Sequence, residues 1–213
     1  MEREIPKELS TNPRIDHFLR ESFVAWSGNA PVERAQVLGF GDKHSDLDDA
    51  LTLWALLGSM VRDEDILLVE STSDEKAQAH PLVMVLTKTG KHPTVHGWDD
   101  AKLAAEHDQA MHELHDLVKE ANETRDITRH TVILRRVTAI KLRILRIGKK
   151  RNNRLLDYVS NARADDKRVF ISAGLLHFAG ESRWKPLLKD TPYLFLSPKA
   201  AFKTVSKLLK MEE

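Results

Sequence analysis

Ile66-Leu67-Leu68-Val69 is an uninterrupted apolar run, closed by Glu70 and by the turn-forming Ser71-Thr72-Ser73-Asp74. A run this short that does not alternate apolar with polar residues predicts a strand buried on both faces, the habit of parallel sheets. The same reading extends outward to Gln36-Val-Leu-Gly-Phe40, Pro93-Thr-Val-His-Gly97 and Arg168-Val-Phe-Ile-Ser172. Helical spacing separates them. Leu47, Ala50, Leu51, Trp54 and Leu57, behind Ser45 as N-cap and Asp48 in a variant of the capping box, predict a helix from about Asp46 to Val61. Strand–helix alternation of this kind predicts an α/β fold with a mainly parallel central sheet flanked by helices.

Further along, Leu103, Ala110, Met111, Leu114, Leu117 and Val118 predict a long helix over Ala101–Ala121. Ile127–Ile147 and Arg151–Arg163 continue the helical pattern, with Gly148 as the candidate interruption. Together these make a helical insertion over about residues 101–163, before the last core strand. Residues 1–30 read as an N-terminal helical arm, in which Ile15, Phe18, Leu19, Ser22, Phe23 and Trp26 recur at three-to-four spacing. Residues 31–213 are expected to form one α/β domain. Periodicity does not decide between helix and strand for His80–Leu86, and Ser197-Pro198 is expected to open a terminal helix.

Composition bounds the function. The 213 residues are 41% hydrophobic and 31% charged, the balance of a globular chain. No stretch approaches the 18 apolar residues of a membrane span, and the charged start lacks the apolar region of a signal peptide, so a cytoplasmic address is expected. With no cysteine, disulfides, thiolate metal sites and cysteine nucleophiles are excluded. The net charge of +1 hides an asymmetry. Residues 127–156 carry ten Lys or Arg and no Asp or Glu, leaving 23 basic against 32 acidic residues elsewhere. Such a stripe attracts anions, pairs with an acidic surface or marks self-association. It lacks the interleaved aromatics that stack on bases, so nucleic acid is not expected.

In a parallel sheet, ligands bind outside the carboxyl ends of the strands. There the first expected strand runs into Gly41-Asp-Lys-His44, the second ends in Glu70, the third runs to Asp99, and the fourth runs into Gly174-Leu-Leu-His177. Two chemistries use this set. Histidine with carboxylate binds Zn²⁺, Mn²⁺ or a similar ion that activates water, and a His–Glu pair activates water as general base without metal. Asp99 also suits a cap of the following helix, and Asp48 reads as a cap. His107, His112 and His115 flank an apolar stripe among Asp108, Asp116 and Lys119 and read as a solvated face.

The two Gly-x-x-His motifs, Glu70 between them and Arg151-Asn-Asn-Arg-Leu155 ahead of the second form an ordered set. It resembles the TraB/Tiki-like superfamily, which includes haem-binding ChaN-like proteins and erythromycin esterases. The resemblance covers about Val37 to Leu196 and is closest over Val169–Gly180. Asp42 departs from it, standing where the esterase and ChaN branches tend to have Glu. The resemblance implies a hydrolase-like pocket: its Tiki-type members are similar to metal-dependent peptidases, its esterases hydrolyse a lactone, and its ChaN-like members bind haem.

The expectation that follows is a metal-dependent, peptidase- or esterase-like hydrolase acting on a peptide or small-molecule ester or amide. His44 and His177 are the expected ligands of a divalent Mn, Co, Fe or Zn ion, and Glu70 is the third ligand or the base. Arg151 orients Glu70 or holds a substrate carboxylate, and Asp42 and Asp99 are additional or supporting ligands. The alternative is a non-catalytic protein of the ChaN-like type that holds haem or another ligand through a rim histidine.

Overall fold

The computed structural model describes residues 5–42, 51, 56–58, 60–174, 177–178, 184 and 188–199, with residue 42 described by its backbone alone. They belong to two compact units. One comprises Met1–Trp98 with Leu156–Glu213, the other Asp99–Leu155.

The first unit is built on a six-stranded sheet of β1 (Phe23–Gly28), β2 (Val37–Asp42), β3 (Ile66–Val69), β4 (Thr94–Gly97), β5 (Val169–Gly174) and β6 (Tyr193–Pro198). The strand order is β1-β6-β2-β5-β3-β4. Every neighbouring pair is parallel except β1 with β6, which is antiparallel. The expected α/β fold with a mainly parallel sheet is thus present, and its helical insertion lies between β4 and β5. The run that predicted it, Ile66–Val69, is buried at all four positions between β5 and β4.

One face of the sheet holds Leu38, Phe40, Leu67, Val69, Phe170 and Leu196 against Leu56, Leu57, Leu82, Val83 and Leu86. On the other, Phe195 of β6 packs against Phe178 and Trp184. Gly39 in β2 is required there, because a Cβ would come within 2.5 Å of the Phe195 ring and 2.6 Å of the Phe178 ring.

Two local expectations change here, and one open reading is settled. The helical spacing around Ile15 holds only through α1 (Pro13–Ser22); Phe23 turns extended, and Phe23–Gly28 becomes strand β1. Pairing with β6 supplies long-range hydrogen bonds to a segment rich in aromatic and small residues, and a register shift between Ala25 and Ser27 lets Phe23 and Trp26 both be buried. Strand β6 is the second change. Tyr193-Leu-Phe-Leu196 is an apolar run of the same kind as Ile66–Val69, yet Ser197-Pro198 drew the reading toward a helix start. Both residues close the strand, and the Ser197 hydroxyl donates to the Gly41 carbonyl at 2.8 Å. The terminal helix expected beyond them lies outside the described residues, as does most of the helix expected over Asp46–Val61. The segment left open between helix and strand, His80–Leu86, is helix. It follows the short α2 (Asp74–Gln78) as α3 (Pro81–Lys88), with Pro81 in its first turn and His80 as N-cap, its Nδ1 accepting the Leu82 N–H.

The second unit is a helical hairpin, α4 (Ala101–Glu123) and the start of α5 (Ile127–Ala164). Gly148 does not interrupt α5. A single helix-interior glycine costs about 1 kcal/mol relative to alanine, less than the long flanking turns provide. Leu117 and Ala121 of α4 meet Ile133, Val137 and Ile140 of α5. Among the described residues no helix is long and apolar enough to cross a membrane.

Candidate functional site

Parallel pairing sets the carboxyl ends of β2, β5, β3 and β4 side by side. The register pairs Asp42 with Gly174 and Val69 with both Ser172 and Gly97. The Gly174 N–H, at the end of β5, donates to Glu70 Oε2 at 3.0 Å. That bond leaves Oε1 turned toward the histidine of the second Gly-x-x-His motif, with His177 Nε2 at 3.6 Å. Both side chains are mostly buried, at 15% and 11% exposure. The fold therefore brings Glu70 and His177 together.

Trp98 walls this pair. Its N–H donates to the Val69 carbonyl at 3.3 Å, which sets the residue beside the end of β3. The indole is fully buried and meets the His177 ring at a centroid distance of 4.9 Å, nearly perpendicular. The indole Nε1–H has no acceptor among the described residues. Trp184 Nε1 donates to the His177 carbonyl at 3.1 Å and steadies the backbone. Trp98 follows Gly97, whose own position depends on having no side chain: a Cβ there would stand 2.5 Å from the Ser73 carbonyl oxygen and 2.7 Å from that of Ser71. A tryptophan directly after the last residue of a strand is the signal for this wall, though the carboxylates after it carry the stronger functional pattern.

Those two carboxylates divide their tasks within the second unit. Asp100, not Asp99, is the N-cap of α4; its Oδ1 accepts the Lys102 and Leu103 amides, both at 3.0 Å. Asp99 is buried and receives the Arg151 fork in bidentate form, Nε to Oδ1 at 2.8 Å and Nη2 to Oδ2 at 2.6 Å. The pair is 5% and 8% exposed, so each charge depends on the other for compensation. Arg151, expected to orient Glu70 or hold a substrate, thus forks onto Asp99 and joins the start of α4 to α5. His44 lies outside the described residues, and so does the side chain of Asp42. His112 and His115 are exposed on α4, as expected of a solvated face.

Among the described residues no three His, Asp or Glu side chains converge. Glu70 and His177 nevertheless suit a shared ion. Two donors on one tetrahedral ion, at bonds of about 2.1 Å, stand roughly 3.4 Å apart, close to the observed 3.6 Å. The same spacing also suits a metal-free pair that closes on a bound water, since catalytic contacts tighten when substrate binds. No protein-family model, curated protein or solved structure matches this chain.

Proposed function

We propose that the protein hydrolyses an ester or amide, of a peptide or a small molecule, with Glu70 and His177 as its water-activating pair. The observation that carries this reading is the Glu70 carboxylate, pinned through Oε2 by the Gly174 amide with Oε1 facing His177 Nε2. A divalent ion of the Mn, Co, Fe or Zn class would be held by His177 and the His44 expected from sequence, with Glu70 as third ligand or as the base, and would acidify a water and polarise the scissile carbonyl.

The chain's own residues account for the rest. Glu70 Oε1 takes a proton from water as the water oxygen bonds to the carbonyl carbon. The bond to the alkoxy oxygen or amide nitrogen then breaks, and Glu70 returns the proton to that leaving group, giving an acid and an alcohol or amine. His177 fixes the water and shares the proton, and the Trp98 indole keeps bulk water from the pair.

The test is hydrolysis of p-nitrophenyl acetate and a fluorogenic peptide set by the wild type, Glu70→Gln and His177→Ala, each with Mn²⁺, Co²⁺ or Zn²⁺. Each variant is expected to lose about 10²–10⁴-fold in rate with little change in Tm. Undiminished rates in both variants, or no turnover by the wild type, would overturn the reading. A Soret band on haem titration that disappears in His177→Ala, with no turnover, would assign the histidine to haem binding instead.

A further inference from the structure

Trp98 carries a hydrogen-bond donor for which the fold supplies no acceptor. Its ring is fully buried, and nothing among the described residues receives its Nε1–H. A buried indole usually finds a partner, because a donor left unmade pays its desolvation in full. Such a group in a native fold calls for an explanation, and a ligand is one of the few on offer. The place of Trp98 says which ligand. Its ring stands 4.9 Å from that of His177, and His177 faces Glu70 at 3.6 Å. Nε1 is an atom of that ring, so the donor lies beside the pair.

Neighbouring donors are committed. The Gly174 amide is spent on Glu70 Oε2 at 3.0 Å, and the Trp184 indole on the His177 carbonyl at 3.1 Å. The Glu70 carboxylate only accepts. Hydrolysis at this pair asks for a donor. When the water oxygen bonds to the carbonyl carbon, the electron pair of the C=O bond moves to the carbonyl oxygen, and a fixed N–H or O–H must meet the charge that develops there. An indole suits that task, because it donates and does not accept. Its backbone is set in advance. The Trp98 amide bonds to the Val69 carbonyl, and the preceding Gly97 packs on the Ser71 and Ser73 carbonyls with no room for a Cβ. A fixed, dry donor is worth more to a developing oxyanion than one that water already solvates.

We infer that Trp98 Nε1–H is the donor to the carbonyl oxygen of the substrate, an inference that rests on the hydrolytic reading of Glu70 and His177. The acyl group enters where that pair is partly open and displaces the cover from the indole. The N–H then donates to the oxygen of the tetrahedral intermediate and keeps its proton. As the leaving group departs, the electron pair returns to rebuild the C=O bond. A neutral donor suits an uncharged acyl group rather than a carboxylate or phosphate, whose strong bonds are made with cations.

Two replacements test this: Trp98→Phe, and benzothienylalanine placed at the same position by amber suppression. The second keeps both rings and exchanges N–H for sulfur. In p-nitrophenyl acetate hydrolysis each should lose about 10²-fold in kcat with KM little changed, at a Tm no lower than that of the wild type. The pH–rate profile should keep its shape, because the indole does not titrate. A displaced profile would mean that the replacement disturbs Glu70 or His177, and overturns the inference. So does an undiminished kcat in both proteins, while losses in Glu70→Gln and His177→Ala would leave the hydrolytic reading standing. A readout without turnover separates the two claims. The nitrogen–proton NMR signal of the Trp98 indole, identified by its absence from Trp98→Phe, should move on addition of trifluoroacetophenone, whose hydrate presents the oxygens of a tetrahedral intermediate. A wild type without turnover whose signal moves loses the hydrolytic reading and keeps the donor. A signal that stays in place overturns the donor.

Discussion

Trp98 shows what one side chain decides. Its ring fills the space beside His177, while its Nε1–H is buried with no acceptor among the described residues. An unmade hydrogen bond of this kind costs about 1–3 kcal/mol. Trp98→Phe keeps the ring and deletes the donor, so its Tm should equal or exceed that of the wild type. Trp98→Ala removes the wall as well and should cost about 3–5 kcal/mol in urea unfolding. A Trp98→Phe protein much less stable than the wild type would show that the donor is satisfied. Glu70 was legible in the sequence because it ends an unmistakable buried strand. A tryptophan after a strand is also an ordinary core residue, and only the neighbour of Trp98, delivered by a segment 79 positions on, distinguishes the two.

Among the elements, α4 illustrates local chemistry setting a boundary. The Leu103 amide, with the Lys102 amide and the charges of Arg154 and Lys102 behind it, outweighs desolvation and holds the Asp100 carboxyl below its ordinary value of 3.8. A carboxyl lowered in the fold stabilises it fully above the ordinary value and stops doing so as pH falls through the folded one. Asp100→Asn keeps the cap and removes the charge. Its Tm should therefore lie below that of the wild type at pH 6, and the gap should close below pH 3.8. A gap of constant size in a pH series of melts would mean that the charge has no part in the cap. The cap lay within one residue of where the sequence put it. The neighbouring Asp99 looked equivalent, since both follow β4 and precede the helix; its true partner, Arg151, stands 52 positions away.

For the molecule as a whole, the sheet is pinned at the end opposite the site. The Arg168 guanidinium, just before β5, donates to the carbonyls of Val32 at 2.6 Å, Ala35 at 3.1 Å and Met60 at 3.5 Å and lies over the Phe170 ring. Burial lowers its pKa, and the nearby Asp65, itself buried and raised for the same reason, offsets part of that cost. Arg168→Ala should lower unfolding free energy by about 3 kcal/mol, because three carbonyls and a buried carboxylate lose their donor or countercharge. Because Arg168 stands at the amino end of β5 and Glu70 and His177 gather at the carboxyl ends, the same variant should retain the hydrolytic rate below its Tm. The class of fold and the position of the insertion were legible in the amino-acid order, because uninterrupted apolar runs and helical periodicity are local properties of the chain. Glu70 and His177 were likewise legible as residues that follow strands toward one rim, since parallel strands share a direction. That Phe23–Gly28 is a strand, that β6 lies between β1 and β2, and that Arg151 forks onto Asp99 emerged only in three dimensions. Those outcomes depend on partners between 52 and roughly 170 residues apart in the chain, and neither hydrogen-bond pairing nor burial against such partners leaves a periodic mark on the segment that receives them.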